Sequence, residues 1–514
     1  MQFLKRSYKT LKNLLKCLFT KNRLNKVLFW TLFDIFASVM ALNPFSEDQI
    51  IARLQFENPW WATGSLDGYY QSFKPRLYFN LFYPLVKNST VHRAIVLMGP
   101  RRVGKTVMLY HTIQQLILEG VSPQKILYVS IETPIYNNIP LDVLFTLAKK
   151  ATGDVEANGW YIFFDEIQYL KEWEVHLKTL VDVYHHTKFI ASGSAAAALK
   201  LKSNESGAGR FTDFMLPPLT FYEFIHLKNL GALIKSDTIT WKGNIALFSA
   251  TTNIAELNKH FINYLNFGGY PEVIFNQEIQ NNPGRFMRAD IIDKVLLRDL
   301  PGLYGIKDVQ ELNSLFTTIA WNSGQECSID ELRKNSGVKK TTLRQYLSYL
   351  EAAFLVHIVK RVDHKAGRFQ RENFFKIYLT NPSLRSALFA PLSAESDGMG
   401  AIVETAIFSQ WMQRTSFIPY YARWKNGEVD LVNISRKTNK PDWAVEIKWS
   451  NRYFEAPKEL KSLASFCEEN KLKQALVTTI DKSGVKEYAN LQIQYLPASV
   501  YAYNVGKNTL ESQK

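Results

Sequence analysis

Two hydrophobic rhythms alternate along the chain, and each predicts a different element. Short runs that are apolar at nearly every position, one leading into residue 99 and others at residues 126–131, 160–164, 188–192 and 212–216, fit strands covered on both faces, as in a parallel sheet. Apolar residues at helical spacing from Val107 to Leu118, and again through residues 221–308, predict helices. Beyond residue 308 the order changes. Helical stretches at 309–321, 329–334 and 340–353, with a turn at Ser336-Gly337, are followed by strand-like runs at 355–362 and 374–379. The remainder predicts a helix at 400–414 and strands at 417–424 and 428–435 joined through Asn426-Gly427; a strand at 443–448, a helix at 457–469 and a strand at 474–480 follow. At the other end, Leu4, Tyr8, Leu11, Leu15 and Leu18 recur at helical spacing among lysines. Residues 27–42 are mostly apolar but too few to span a bilayer.

These patterns divide the 514 residues into five segments. They are a basic amphipathic extension (1–57), an α/β core (58–220), a helical lid or connector (221–308), a helix-turn-helix with strands (309–390) and a second α/β domain (391–514). With 46% hydrophobic and 21% charged residues the composition is that of folded protein, which excludes both disorder and a multi-span membrane protein. The formal charge is +15, and residues 1–26 alone carry eight cations and no acid, so more than half of the excess lies there. The body is only mildly basic, which allows a nucleic-acid partner without requiring one. Cys17, Cys327 and Cys467 lie far apart, giving neither a zinc knuckle nor a disulfide framework and fitting a cytoplasmic setting. Residues 1–42 suit packing against the body, self-association into a homo-oligomer, or peripheral contact with the inner membrane surface.

The first run leads into Gly99-Pro100-Arg101-Arg102-Val103-Gly104-Lys105-Thr106, and the helical pattern begins at Val107. Strand, glycine loop and helix together turn backbone N–H groups towards phosphate oxygens, and the helix N-terminus adds a favourable dipole. Residues 99–107 are therefore the candidate ATP-binding loop, with Lys105 directed at the β- and γ-phosphates and the Thr106 hydroxyl at Mg²⁺. The strand at 160–164 ends in Asp165-Glu166. Asp165 would complete the Mg²⁺ shell, and Glu166 would orient the attacking water. Ser192 and Ser194 sit where a γ-phosphate sensor belongs. Arg210, in Gly207-Ala208-Gly209-Arg210-Phe211, is the candidate arginine finger, acting in cis or on a neighbouring subunit.

Taken together, Gly-Pro-Arg-Arg-Val-Gly-Lys-Thr, Phe-Phe-Asp-Glu-Ile-Gln, Ser-Gly-Ser, Gly-Arg-Phe and Pro-Leu-Thr-Phe-x-Glu-Phe resemble prokaryotic AAA-type ATPases that carry a C-terminal restriction-endonuclease-like domain. Those ATPases are similar to STAND-type switch ATPases. The resemblance continues through residues 267–272 and 297–301. It implies an α/β fold: a P-loop NTPase sheet of the additional-strand type, a helical lid and a restriction-endonuclease-like α/β C-terminal domain. Asp165 and Glu166 are expected one strand beyond the neighbour of the phosphate loop.

Residues 309–381 resemble a winged helix, in which Lys339, Lys340 and Arg344 open the recognition helix at 340–353 and Lys365, Arg368 and Arg371 lie in a basic wing. Those positions suit DNA contact. Related switch ATPases instead pack such a module against the nucleotide domain.

In the strand at 443–448 alternate residues share a face, so Glu446 and Lys448 point the same way and Asp430 on the adjacent strand can face them. Two carboxylates and a lysine suit a Mg²⁺-dependent phosphodiesterase. Asp430 and Glu446 would hold the metal, Lys448 would act on water or on the charged transition state, and Glu404 on the preceding helix would add a further acidic ligand. Order and spacing resemble the PD-(D/E)xK nuclease core, with Val429-Asp430 standing in for its Pro-Asp pair. Two functions stay open: an ATPase whose nucleotide state governs a nucleic-acid-binding or cleaving C-terminal domain, and an ATP-dependent switch or scaffold whose inactive nuclease fold binds a partner.

Overall fold

The computed structural model describes residues 45–88, 90–154, 156–193, 209–367, 374–414 and 417–512. The amphipathic segment 1–42, Ser194, Arg368 and Arg371 lie outside the described residues.

Strands β1 (Ala94–Met98), β2 (Ile126–Ser130), β3 (Tyr161–Asp165), β4 (Lys188–Gly193) and β5 (Phe211–Met215) form one sheet in the order β2-β3-β4-β1-β5. All four pairings are parallel. β4 lies between β1 and β3, so the Asp165 strand stands one place beyond the neighbour of the phosphate loop. The unbroken apolar run of β1 follows from its position: Ile95 and Leu97 pack into one core with Leu109, Ile113 and Leu116, while Ala94, Val96 and Met98 pack into another with Leu144, Leu177 and Leu180. Each such Leu, Ile or Val contributes about 1.5–3 kcal/mol by burial.

β2 would be an exposed edge, and the tryptophan-rich segment before β1 covers it. The Asn58 side chain donates to the carbonyl of Tyr128 (2.8 Å) and accepts from its N–H (2.6 Å), imitating a neighbouring strand. The indole N–H groups of Trp60 and Trp61 both donate to the Ile126 carbonyl, at 3.0 and 2.8 Å.

The connector departs from the all-helical expectation. Residues Ile234–Trp241 (β6) and Asn244–Thr251 (β7) form an antiparallel hairpin. Its two-residue turn, Lys242-Gly243, has positive φ at both positions (52° and 77°), the backbone a tight hairpin needs. The β-branched residues of Thr238-Ile239-Thr240 favour strand here over the helical pattern on either side.

The remaining strands share one sheet. They are β8 (Glu326–Ser328), β9 (Val356–Val362), β10 (Phe374–Leu379), β11 (Pro419–Trp424), β12 (Gly427–Ile434), β13 (Pro441–Glu446), β14 (Gln474–Thr479), β15 (Gly484–Tyr488) and β16 (Leu491–Pro497). Their order is β15-β16-β14-β13-β12-β11-β9-β10-β8. The join is a parallel pairing of β9 with β11, Lys360 opposite Tyr420 and Val362 opposite Ala422. Segments 309–390 and 391–514, predicted as separate units, are thus continuous through their backbone hydrogen bonds. The helices Met399–Met412 and Ala498–Glu511 cover this sheet together with the connector helix Ile254–Phe267, through a core that includes Phe261, Tyr264, Tyr378, Val403, Tyr421 and Val500. The last helix and the β15–β16 hairpin add to what the hydrophobic rhythm predicts.

The connector packs against the end of β10 at Gly269. A Cβ on Gly269 would lie 2.4 Å from Asn381 Oδ1 and 2.5 Å from Ser383 Oγ, so only glycine lets the connector approach the end of β10 this closely. Among the described residues no helix is long and apolar enough to cross a membrane.

Candidate functional site

At the C-terminal end of β1 the chain enters the loop 99–104 and then the helix Lys105–Leu118. Gly99 is required because a Cβ there would stand 2.2 Å from the Leu216 carbonyl oxygen. Gly104 (φ 93°) takes the left-handed conformation that starts the helix. Inside the loop Lys105 is buried, and its ammonium donates to the carbonyls of Gly99 (3.1 Å) and Pro100 (2.9 Å). Burial lowers its pKa, partly opposed by Glu166 and Asp165. An ammonium drawn from water and held beside carboxylates is poised to receive an anionic phosphate.

Asp165, at the end of β3, is the most heavily bonded carboxylate of this site. Thr106 Oγ1 and Tyr128 OH donate to its Oδ2, each at 2.8 Å; Ser192 Oγ and the Glu166 N–H donate to Oδ1. Burial and the Glu166 charge raise its pKa. The Thr106–Asp165 pair is the donor set that suits Mg²⁺ bound with nucleotide phosphates, a carboxylate and a hydroxyl with room for waters. Glu166 follows in the left-handed conformation (φ 53°), lines the cleft and accepts from the Gln168 side chain. The cleft has a volume of about 780 Å³ and is lined by Lys105, Thr106 and Glu166 together with Tyr70, Phe73 and Phe275.

Ser192 contacts Asp165 directly. Arg210 requires a correction. It precedes β5 at the N-terminal edge of the sheet, where its carbonyl accepts from the Ala94 N–H, and its guanidinium pairs with Asp182. The five residues of β1 separate it from the phosphate loop by about 16 Å. It therefore does not complete its own subunit's site.

Three further groups take roles that the sequence did not assign them. Arg76 is buried, donates to the carbonyls of Val103 (3.0 Å) and Pro217 (2.8 Å), and forms a two-point pair with Glu223, holding the phosphate loop from behind. Arg101 pairs with Asp299 (2.8 Å), and Arg102 with Glu272 (3.0 Å) and Asp290 (2.7 Å). Those acids tie the loop to the connector. Tyr128 is the third group, visible in sequence only as an apolar strand residue.

The second cluster lies on the nine-stranded sheet. Asp430 Oδ2 accepts from the Ile447 N–H (2.8 Å) and from Lys448 Nζ (3.0 Å), and the same ammonium stands 2.8 Å from Glu446 Oε1. The structure thus brings Asp430, Glu446 and Lys448 together. Glu446 Oε2 is buried with no hydrogen-bond partner. Burial and the neighbouring Asp430 push the Glu446 pKa up to about 7, whereas Lys448 and Lys376 hold Asp430 low against its burial. Glu404 sits beside them on the helix Met399–Met412, its Oε1 accepting from Lys376 Nζ (2.9 Å) and Tyr378 OH (2.6 Å). Among the described residues no three acidic, histidine or cysteine side chains converge closely enough to enclose a metal ion. Asp430 and Glu446 suffice for Mg²⁺, which keeps waters and substrate oxygens in the rest of its shell.

Of the residues expected to meet DNA, Lys340 pairs with Asp330 (3.1 Å) and Lys365 lies 3.9 Å from Glu469. Lys339 and Arg344 are exposed on the outer side of the helix Lys340–Ala352, whose other side buries Leu343, Leu347 and Leu350.

Residues 91–225 match the family described as AAA domain. This segment is similar to AAA-type ATPase domains. A second family, described as a domain of unknown function, matches residues 258–396, a segment that runs across the connector and β8–β10. An uncharacterized protein of Methanocaldococcus jannaschii is 24% identical over 384 residues, covering 71% of this chain and 79% of its own. One from Haemophilus influenzae is 25% identical over 297 residues, 56% of this chain and 68% of its own. Among solved structures, the Walker-type ATPase PABY2304 of Pyrococcus abyssi is similar with a TM-score of 0.35 and 16% identity, covering 60% of this chain and 94% of that one. The Aeropyrum pernix ORC1 protein in complex with DNA gives 0.31 and 12%, over 64% and 95%. These structural likenesses are too loose to bear on function.

Proposed function

We propose that the chain binds and hydrolyses ATP with Mg²⁺ at the loop 99–107, and that its nucleotide state governs a nuclease-like C-terminal site acting on nucleic acid. The observation that supports the first half most strongly is that Lys105, Thr106 and Glu166 line a single cleft while Thr106 is hydrogen-bonded to the buried Asp165. Bound Mg²⁺ would neutralise phosphate charge there. Lys105 would exchange two loop carbonyls for phosphate oxygens, Thr106 and Asp165 would hold the metal, and Glu166, freed from Gln168, would orient water.

The second half rests on Asp430, Glu446 and Lys448 and on the shared sheet. Asp430 and Glu446 would hold a divalent ion that polarises a phosphodiester, while Lys448 lies within reach of both carboxylates to steady developing charge. The exposed face with Lys339 and Arg344 fits a phosphate backbone.

The decisive experiment measures ATP turnover and DNA cleavage together. Lys105→Ala should abolish ATP binding and turnover. Glu166→Gln should bind ATP yet turn over about 10²–10⁴-fold more slowly, the range for a lost general base. Asp430→Ala and Lys448→Ala should each stop Mg²⁺-dependent cleavage. Cleavage that survives both removes the nuclease reading and leaves the switch or scaffold.

A further inference from the structure

A cation reaches the C-terminal site from outside its own segment. Lys376 lies on β10, three places from β12 in the sheet, about 14 Å away if the sheet were flat. Its side chain is nevertheless buried against Glu428 of that strand and Glu404 of the helix Met399–Met412. Nζ stands 2.7 Å from Glu428 Oε1 and 2.9 Å from Glu404 Oε1, and 5.3 Å from the centre of the Tyr421 ring. Lys376 is 3% exposed. A lysine so buried is costly unless its partners are charged and well placed. Here they are.

The charges of the cluster can be set against one another. Glu404, Glu428, Asp430 and Glu446 face Lys376, Lys448 and Arg423, the last 3.1 Å from Glu428. The anions exceed the cations by one. The shortfall falls at Glu446, whose Oε1 shares the Lys448 ammonium with Asp430 and whose Oε2 is buried with no partner. Glu404, although it projects from the helix into the same cluster, gives Oε1 to both Lys376 and Tyr378.

We propose that Lys376 is a built-in cation standing in for a second metal: the site takes a single divalent ion, held by Asp430 and Glu446, and Glu404 is committed to Lys376 rather than to metal. This rests on the nuclease-like reading of the site and narrows it to one-metal handling of a phosphodiester. Lys376 supplies fixed positive charge without needing a bound ion, so it is present before substrate arrives. Its position on β10 makes the site a joint product of the segment before residue 390 and the segment after it.

The test is Mn²⁺ binding to the full-length, nucleotide-free protein, read by the loss of the free-ion electron paramagnetic resonance signal, which needs no cleavage. The ions belonging to this site are those lost in Asp430→Asn. One ion per chain is expected in the unaltered protein, none at this site in Glu446→Gln, and two in Lys376→Met; Lys376→Arg should stay at one. Should Lys376→Met fail to fold by circular dichroism, Glu404→Gln decides: unchanged Mn²⁺ affinity supports the proposal, and a loss of tenfold or more overturns it. Two ions in the unaltered protein, or one in folded Lys376→Met, overturn it while leaving the nuclease-like reading intact. Absence of any ion sensitive to Asp430→Asn overturns both.

Discussion

The carboxylate of Asp165 is held by four donors from four different parts of the segment 91–225, and one of them, Tyr128, has no precedent in the motif. In the proposed site Thr106 would exchange its bond to Asp165 for the metal; Tyr128 need not, because its ring is held in tilted contact with Tyr110 (4.9 Å between centroids). Tyr128→Phe removes a hydrogen bond to a charged group, worth about 1.5–3 kcal/mol. The expected result is ATP affinity within a few-fold of the unaltered protein and kcat lowered about tenfold, measured by a coupled phosphate-release assay. Unchanged kcat would reduce Tyr128 to a packing residue. The contrast shows what sequence can carry. Lys105, Thr106, Asp165 and Glu166 were legible because a glycine loop and an acidic strand end are local patterns with local chemistry. Tyr128, Arg76 and Lys376 were not, because each acts through a partner 37, 147 or 28 residues away.

Among elements, the glycine loops and the strand β9 carry the consequences. Gly99→Ala would force a methyl onto the Leu216 carbonyl and Gly269→Ala one onto Asn381. Overpacking of this kind costs about 1–3 kcal/mol. Gly269→Ala should lower the thermal midpoint with little change in ATP affinity, whereas Gly99→Ala should weaken both, and calorimetry with nucleotide titration separates them. His357 on β9 gives a pH dependence. Burial depresses its pKa to about 4, below the value of about 6.5 for the free side chain, so between these values the unfolded chain binds more protons than the folded one. Stability is therefore full above pH 6.5 and falls as the pH drops towards 4. Urea midpoints should decline between pH 7 and pH 5, and His357→Gln should flatten that decline. Sequence predicted β9 and β10 as strands within two residues of their observed limits. It gave no hint of the β9–β11 pairing, because strand partners are chosen by packing across the whole sheet rather than by local period.

For the molecule as a whole, the shared sheet decides how its parts can be separated. A boundary at residue 390 follows the sequence but cuts the sheet between β9 and β11, leaving a row of unpaired backbone groups on β11 and removing Lys376 from Glu404 and Glu428. It also strips the connector helix Ile254–Phe267 from the core it shares with Val403, Tyr421 and Val500. Three losses coincide: an open edge that invites association, a buried carboxylate left without its cation, and an exposed apolar face. A fragment comprising residues 391–514 should therefore aggregate or remain unfolded when expressed alone, while a fragment from residue 254 onward, which retains the connector helix and β8–β10, should fare better. Sedimentation and circular dichroism of the two fragments give the answer. If 391–514 proves monomeric and folded, the C-terminal unit is autonomous and the sheet junction is a docking contact. If only the longer fragment folds, motion of the connector against the phosphate loop, through Arg102 with Glu272 and Asp290, has a continuous solid path to Lys376 by way of Gly269 and Asn381. In that case ATP binding should alter amide exchange in β10, whose end lies against Gly269, more than in β16 on the far side of the sheet.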